Sequence, residues 1–267
     1  MKPDSLRSYF GAKIRRRREG LGFSLERLAS EMGYTPQWLH KMETTDKAIP
    51  PKFAEDAATY FDDSEFVEIW QAIQRAGRRA YLPRGFPQYI ELENEASSLR
   101  VYGAQVIPGL LQTESYARAL MSAGQTPQAL DEIVAARMER QPVLTRVPFT
   151  QFQFVINEAA LHVPAGGPQV MREQIRKVID TVQLPNVQVR VLPFSSVTYA
   201  ALDGLFTLLG FTDGSEVAYV EGPEVSQVIE DSKVIAKNAV RFEIIMGEAL
   251  PQAASLDLLR QHEKEYM

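Results

Sequence analysis

The stretch GYTPQWLHKMETTDK (residues 33–47) carries Thr35, Gln37, Trp38, His40, Lys41 and Thr44 within ten residues. These side chains suit hydrogen-bond recognition rather than bond making. Glutamine pairs bidentately with adenine, and lysine reaches guanine or a phosphate. A threonine at a helix N-terminus adds a hydroxyl to free backbone N–H groups, a combination that suits a phosphate. Trp38 lies between an inner and an outer face, so it either half-joins a core or rests on a sugar or thymine methyl. Upstream stand four consecutive cations, Arg15, Arg16, Arg17 and Arg18. Such residues supply phosphate contacts, which position a protein on DNA without specifying sequence.

Bond-making chemistry finds little support. The histidines are His40, His162 and His262, and no pair has a His-x3-His metal spacing. Cysteine is absent, which removes disulfides and thiolate metal or redox sites. There is no Gly-x-Ser-x-Gly elbow. Neither nucleotide-binding glycine motif occurs, since Gly20-x-Gly22 lacks the third glycine and the preceding strand. Glu91, Glu93 and Glu95 read as a solvated helix face. The chain is expected not to be an enzyme and to need no cofactor.

The elements around residues 33–47 must hold that stretch in place. Residues 5–20 read as a helix with Leu6, Phe10 and Ile14 on its apolar stripe. Ser24 caps a second helix whose inner face is Leu25, Leu28, Ala29 and Met32. Gly33 ends it, because the turn needs φ > 0. Thr35 caps a third helix, and Pro36 fills the first helical position, where its missing N–H costs nothing. Leu39 and Met42 point inward, which turns Gln37, His40, Lys41 and Thr44 outward. A small residue at the crossing, a glycine at the turn and an apolar plug beyond it form a helix-turn-helix, whose second helix enters the major groove. After the loop ETTDKAIPP, a fourth helix spans about 52–61. A fifth carries Phe66, Ile69, Trp70 and Ile73 on one face.

Charge agrees with this reading. The chain has 267 residues and a net charge of −5, yet residues 1–50 hold ten basic and six acidic side chains. A basic head on an acidic body meets phosphates in one orientation. No long apolar run exists to span a membrane, and no secretory signal opens the chain. A cytoplasmic location is expected.

Residues 77–87 (GRRAYLPRGFP) mark a boundary. Beyond it, YIELENEASSLRVYG, TESYARALMSAG and QALDEIVAARMERQ have helical spacing. FTQFQFVI (149–156), VQVRVLPF (187–194), LFTLLGF (205–211) and EVAYVEG (216–222) read as strands, the last two joined by a hairpin turn at Asp213-Gly214. Helices interleave at 168–184 and 232–250, with a short terminal helix from about Ser255. In AQVIPGLLQ, Val106, Ile107, Leu110 and Leu111 read as core broken by Pro108-Gly109. The loop 191–204 is a candidate for sensing or partner binding. The fold class expected is multi-domain: an all-α head of five helices, then an α+β domain with a mostly antiparallel sheet. The domains expected are 1–62, a connecting helix and linker at 63–86, and an effector or partner-binding domain at 87–267.

SLERLASEMGYTPQWLHKME resembles the core motif of Cro/repressor (XRE) type DNA-binding domains. YIELENEASSLRVYGAQVIPGLLQTESYARAL (89–120), GGPQVMREQI (166–175), LPNVQVRVLPF (184–194) and LDGLFTLLGF (202–211) are similar to the C-terminal domain of an actinobacterial class of antitoxin-like transcriptional regulators. The resemblance implies transcriptional control through double-stranded DNA, and a small partner protein encoded nearby. A homodimer is expected from the half-site geometry of helix-turn-helix proteins. The chain departs from the XRE pattern at Leu25, where relatives carry a phosphate-gripping glutamine, at Pro36, and in the TTDKA loop. The resemblance names no small-molecule effector.

Overall fold

Gly33 shows how local sequence builds the first unit. It ends α2 (Leu25–Met32) in the left-handed region at φ 76°, and its N–H bonds back to the Ala29 and Ser30 carbonyls. A Cβ there would touch nothing within 4 Å, so glycine is required by conformation and not by crowding. In the computed structural model, residues 3–44, 48–79, 82–196, 198–222 and 226–266 are described. Residues 45–47 of the expected loop, 80–81 of the expected linker and 197 of the 191–204 loop lie outside them. The chain divides into two units, Met1–Tyr81 and Leu82–Met267.

The first unit is helical among its described residues: α1 (Pro3–Gly20), α2, α3 (Pro36–Thr44), α4 (Pro51–Phe61) and α5 (Glu65–Arg79). Ser24 and Thr35 cap α2 and α3 by accepting from Arg27 N and Trp38 N, both at 3.2 Å. Phe10 and Ile14 of α1, Leu28 and Ala29 of α2, Leu39 and Met42 of α3 and Phe53 of α4 form one buried cluster. Phe66, Ile69 and Ile73 of α5 complete it. Trp70 Nε1 donates to the Ile49 carbonyl at 2.9 Å. Helix α5 therefore belongs to the core of this unit.

The second unit is built on one six-stranded sheet. Its strands are β1 (Ser98–Gly103), β2 (Gln151–Asn157), β3 (Val187–Leu192), β4 (Phe206–Gly210), β5 (Glu216–Glu221) and β6 (Ser226–Ile229), in the order β3-β2-β1-β4-β5-β6. The pairs β1–β2 and β2–β3 are parallel, and β1–β4, β4–β5 and β5–β6 are antiparallel. The sheet is mixed, which corrects the expected mostly antiparallel one. The error traces to β1. Residues 98–103 follow α6 (Phe86–Glu95) after only two residues, and helical spacing upstream masked their alternation. β1 is one of the two central strands and the parallel partner of β2. Parallel pairs need long crossovers. These contain α7 (Glu114–Met121) and α8 (Pro127–Met138) between β1 and β2, and α9 (Pro168–Thr181) between β2 and β3.

Alternation along β2 sends Phe152, Phe154 and Ile156 to a core shared with α9 residues Met171, Ile175 and Val178 and with Leu259 of α11 (Gln252–Glu265). Val155 faces the opposite layer with Phe206, Leu208, and Phe242 and Ile245 of α10 (Ser232–Glu248). The β4–β5 hairpin turns at Asp213-Gly214 as the sequence indicates, with Phe211 N bonded to Ser215 O at 2.9 Å.

Candidate nucleic-acid interface and a cavity in the second unit

Helix α3 is fastened from behind and open in front. Leu39 is fully buried and Met42 nearly so. Gln37, His40 and Lys41 are exposed, and none of the three side chains has a hydrogen-bond or ion-pair partner among the described residues. Thr35 is exposed and its hydroxyl accepts from the Trp38 N–H. Thr44 is exposed, with its hydroxyl donating to the His40 carbonyl at 2.8 Å.

Trp38 is committed to packing. It stacks on Tyr34 at 4.4 Å between ring centroids and meets Phe53 edge-on at 4.7 Å. The Tyr34 hydroxyl donates to Asp56 at 2.5 Å, and burial together with that carboxylate pushes it up to about 12. This aromatic cluster joins the start of α3 to α4.

The four arginines separate. Arg16 is exposed, with no ion-pair partner among the described residues. Arg15 is exposed and pairs with Glu19 one turn on, at 2.8 Å. Arg17 pairs with Asp63, which also accepts Lys13 at 3.0 Å. Arg18 has only 11% of its side chain exposed, and it clamps Glu43 of α3. The row of cations thus leaves Arg15, Arg16 and Arg17 at the surface, Arg17 paired with Asp63 of the same unit, and draws only Arg18 inward. Sequence reasoning missed the partners because Glu43 and Asp63 are 25 and 46 residues away.

The second unit contains a small cavity of about 80 Å³, partly open to solvent. Phe86 and Tyr89 of α6, Tyr102 of β1, the Val106–Leu110 loop, Arg137 of α8, Arg140, and Tyr219 and Glu221 of β5 line it. Glu93, read from sequence as solvated, is 1% exposed. It takes both arms of Arg140, Nε to Oε1 at 2.8 Å and Nη2 to Oε2 at 2.6 Å, and also accepts the Tyr89 hydroxyl at 2.7 Å. Arg140 is therefore neutralised. Arg137 has no ion pair among the described residues, and its one hydrogen bond there is a long 3.4 Å contact to Gln112 Oε1. Burial, and then the neighbouring Arg140, push its guanidinium down to about 10. A Cβ on Gly109 would collide with that guanidinium. The Pro108-Gly109 break thus makes room for a cation. Tyr89 stacks on Tyr219 at 4.0 Å. The Tyr219 hydroxyl is buried beside Ser226 without a geometrically sound hydrogen bond among the described residues. Ile107, Leu110 and Leu111 are core, as their sequence suggests.

His162 and His262, distant in sequence, lie with their rings 4.7 Å apart. Among the described residues, no helix is long and apolar enough to cross a membrane.

Two family descriptions match the chain. A helix-turn-helix domain matches residues 10–62. A domain of unknown function (DUF5753) matches residues 86–261, well over half of the chain. No curated protein and no solved structure gives a significant match.

Proposed function

The chain belongs to the DUF5753 family, and we propose that it is a sequence-specific, XRE-type transcriptional regulator that works in the cytoplasm without catalysing a reaction. The observation that carries this is the presentation of α3. Gln37, His40 and Lys41 are exposed without partners, on a helix held from behind by Leu39, Met42 and the Arg18–Glu43 pair. Donors and acceptors held this way suit base edges in a major groove. Exposed Arg15 and Arg16 suit flanking phosphates. A homodimer reads two half-sites. Val240 and Ile244, exposed one turn apart on α10, are its candidate contact.

The C-terminal domain is read as the effector module, and its ligand as a small molecule with an apolar body and one carboxylate. Unpaired Arg137 suits the carboxylate, because a guanidinium fork matches its geometry. Phe86, Tyr89 and Tyr219 suit the apolar body. Ligand binding would then bias the competence of the two heads.

The test is binding of the purified full chain to a duplex from its own promoter and to a scrambled duplex, across a salt series. Preference for the promoter, lost in Gln37→Ala and Lys41→Ala, supports the reading. Equal binding of wild type and both mutants to the two duplexes overturns it.

A second reading rests on Phe194, Tyr199 and Leu202, exposed by 60%, 80% and 74% in the loop after β3. Three large apolar side chains in solvent suit a protein partner. This is the antitoxin-like role, in which a small partner protein is bound and DNA binding is secondary. Capture of such a partner, lost in Tyr199→Ser and kept in Lys41→Ala, favours it.

A further inference from the structure

We propose that Glu158, His162 and His262 form a binding site for a divalent transition ion of the zinc class. Each offers one ligand atom, and these atoms all lie within 4.8 Å of one another. The Glu158 Oε1 atom is 3.7 Å from His162 Nε2 and 3.6 Å from His262 Nε2. Zinc bonds of about 2.0–2.1 Å at tetrahedral angles put neighbouring ligand atoms roughly 3.3–3.5 Å apart. The two pairs that share Glu158 Oε1 need to close by only a few tenths of an ångström, and the two imidazole nitrogens lie within 4.8 Å of each other.

The surroundings prepare each ligand. His262 is 3% exposed, and its Nε2 is buried without a hydrogen-bond partner. A buried imidazole nitrogen normally finds a partner, and an ion at this point supplies one. Its other nitrogen, Nδ1, lies 2.8 Å from Glu265 Oε2. A carboxylate there holds the proton on Nδ1 and leaves the Nε2 lone pair facing the site, which is how outer carboxylates orient metal-binding histidines. The Phe194 N–H donates to Glu158 Oε2 at 2.6 Å, so Oε1 stays available. The Phe194 ring stacks on His162 at 5.1 Å and steadies it. His162 has 48% of its side chain exposed, which leaves a fourth position open to water. Two imidazoles and one carboxylate, without thiolate, select zinc, nickel or copper over magnesium or calcium, which prefer all-oxygen cages.

Local folding brings these residues together. Glu158 opens a single 3₁₀ turn (Glu158–Leu161) directly after β2, and His162 follows it. His262 sits in the last turn of α11. The Tyr266 hydroxyl donates to the Leu161 carbonyl at 2.7 Å, which already ties the end of α11 to that turn. A bound ion would pin the terminal helix to the end of β2. The site is independent of the DNA-binding reading.

The competing arrangement is a protonated His262 held between Glu158 and Glu265 with no ion. Tag-free full-length protein, stripped with chelator, is titrated with zinc chloride by calorimetry. Cobalt chloride is followed by visible absorption. The expected result is one equivalent of zinc bound, a rise in Tm, and intense cobalt bands of a four-coordinate site. His162→Ala lies partly in solvent and should fold. It should weaken zinc binding by more than tenfold and abolish the cobalt spectrum. Glu265→Gln should weaken zinc binding about tenfold by releasing His262. His40→Ala should change neither. Absence of stoichiometric zinc binding, or binding that His162→Ala leaves intact, overturns the proposal.

Discussion

The Arg18 guanidinium grips the Glu43 carboxylate through both oxygens, Nε to Oε1 at 2.7 Å and Nη2 to Oε2 at 3.0 Å. The same guanidinium donates from Nη1 to the Phe23 carbonyl at 2.9 Å. One side chain thus ties the last turn of α1 to the last turn of α3 and to the turn before α2. It fixes the angle at which α3 presents Gln37, His40 and Lys41. Only 5% of the Glu43 side chain is exposed, so little solvent competes for the pair.

Removing one member leaves the other charge poorly solvated. Glu43→Ala should destabilise the first unit by about 2 kcal/mol, below the full cost of a deeply buried pair because Arg18 retains some solvent. Chemical denaturation would measure it. Arg18→Met/Glu43→Met should recover part of the loss. Operator affinity should fall in Glu43→Ala even where the unit is folded.

Gly33→Ala isolates a conformational cost, since the added methyl group meets no neighbour. Holding alanine at φ 76° should cost about 1–2 kcal/mol. Thermal denaturation should show that loss, while calorimetric folding stays cooperative.

Asp63 gives the first unit an acid limb. Hydrogen bonds first from Arg17 and then from Lys13 hold its carboxyl down from 3.8 to about 2. A depressed carboxyl stabilises the fold at pH above its unfolded value, and that contribution disappears as pH falls from about 4 towards 2. Asp63→Asn should therefore lower Tm at pH 7. The gap between mutant and wild type should narrow below pH 4.

Salt dependence separates contact from scaffold on the DNA-binding face. Arg16→Ala should reduce the log–log salt slope by about 0.9 on any duplex, as one lost phosphate contact does. Trp38→Ala should instead lower stability, by about 2–3 kcal/mol for a half-buried aromatic. It should change sequence preference little.

In the second unit, Arg137→Gln should abolish the thermal stabilisation produced by a panel of aromatic monocarboxylates. The corresponding primary amides should have little effect on wild type. Gly109→Ala should do the same by displacing the guanidinium, with the sheet intact by circular dichroism.

Local interactions were legible in the chain itself. Ser24, Gly33, Thr35 and Pro36 set the ends of α2 and α3 through caps and dihedral preferences that reach only a few residues. The inward spacing of Leu28, Leu39 and Met42 follows from helical geometry alone. The Asp213-Gly214 turn and the alternation of β2 were equally plain. What needed the tertiary structure was long-range pairing. Nothing local to Arg15–Arg18 says that Arg18 meets Glu43 and Arg17 meets Asp63 while Arg16 stays free. Nothing in SSLRVYG says that it is a central strand, because a strand's partners lie on other segments. Glu93 looked like one of several solvated carboxylates until Arg140, 47 residues on, buried it. His162 and His262 became neighbours only when the terminal helix folded back beside the end of β2. Caps and periodicity are properties of neighbours along the chain, whereas burial and ion pairing are properties of neighbours in space.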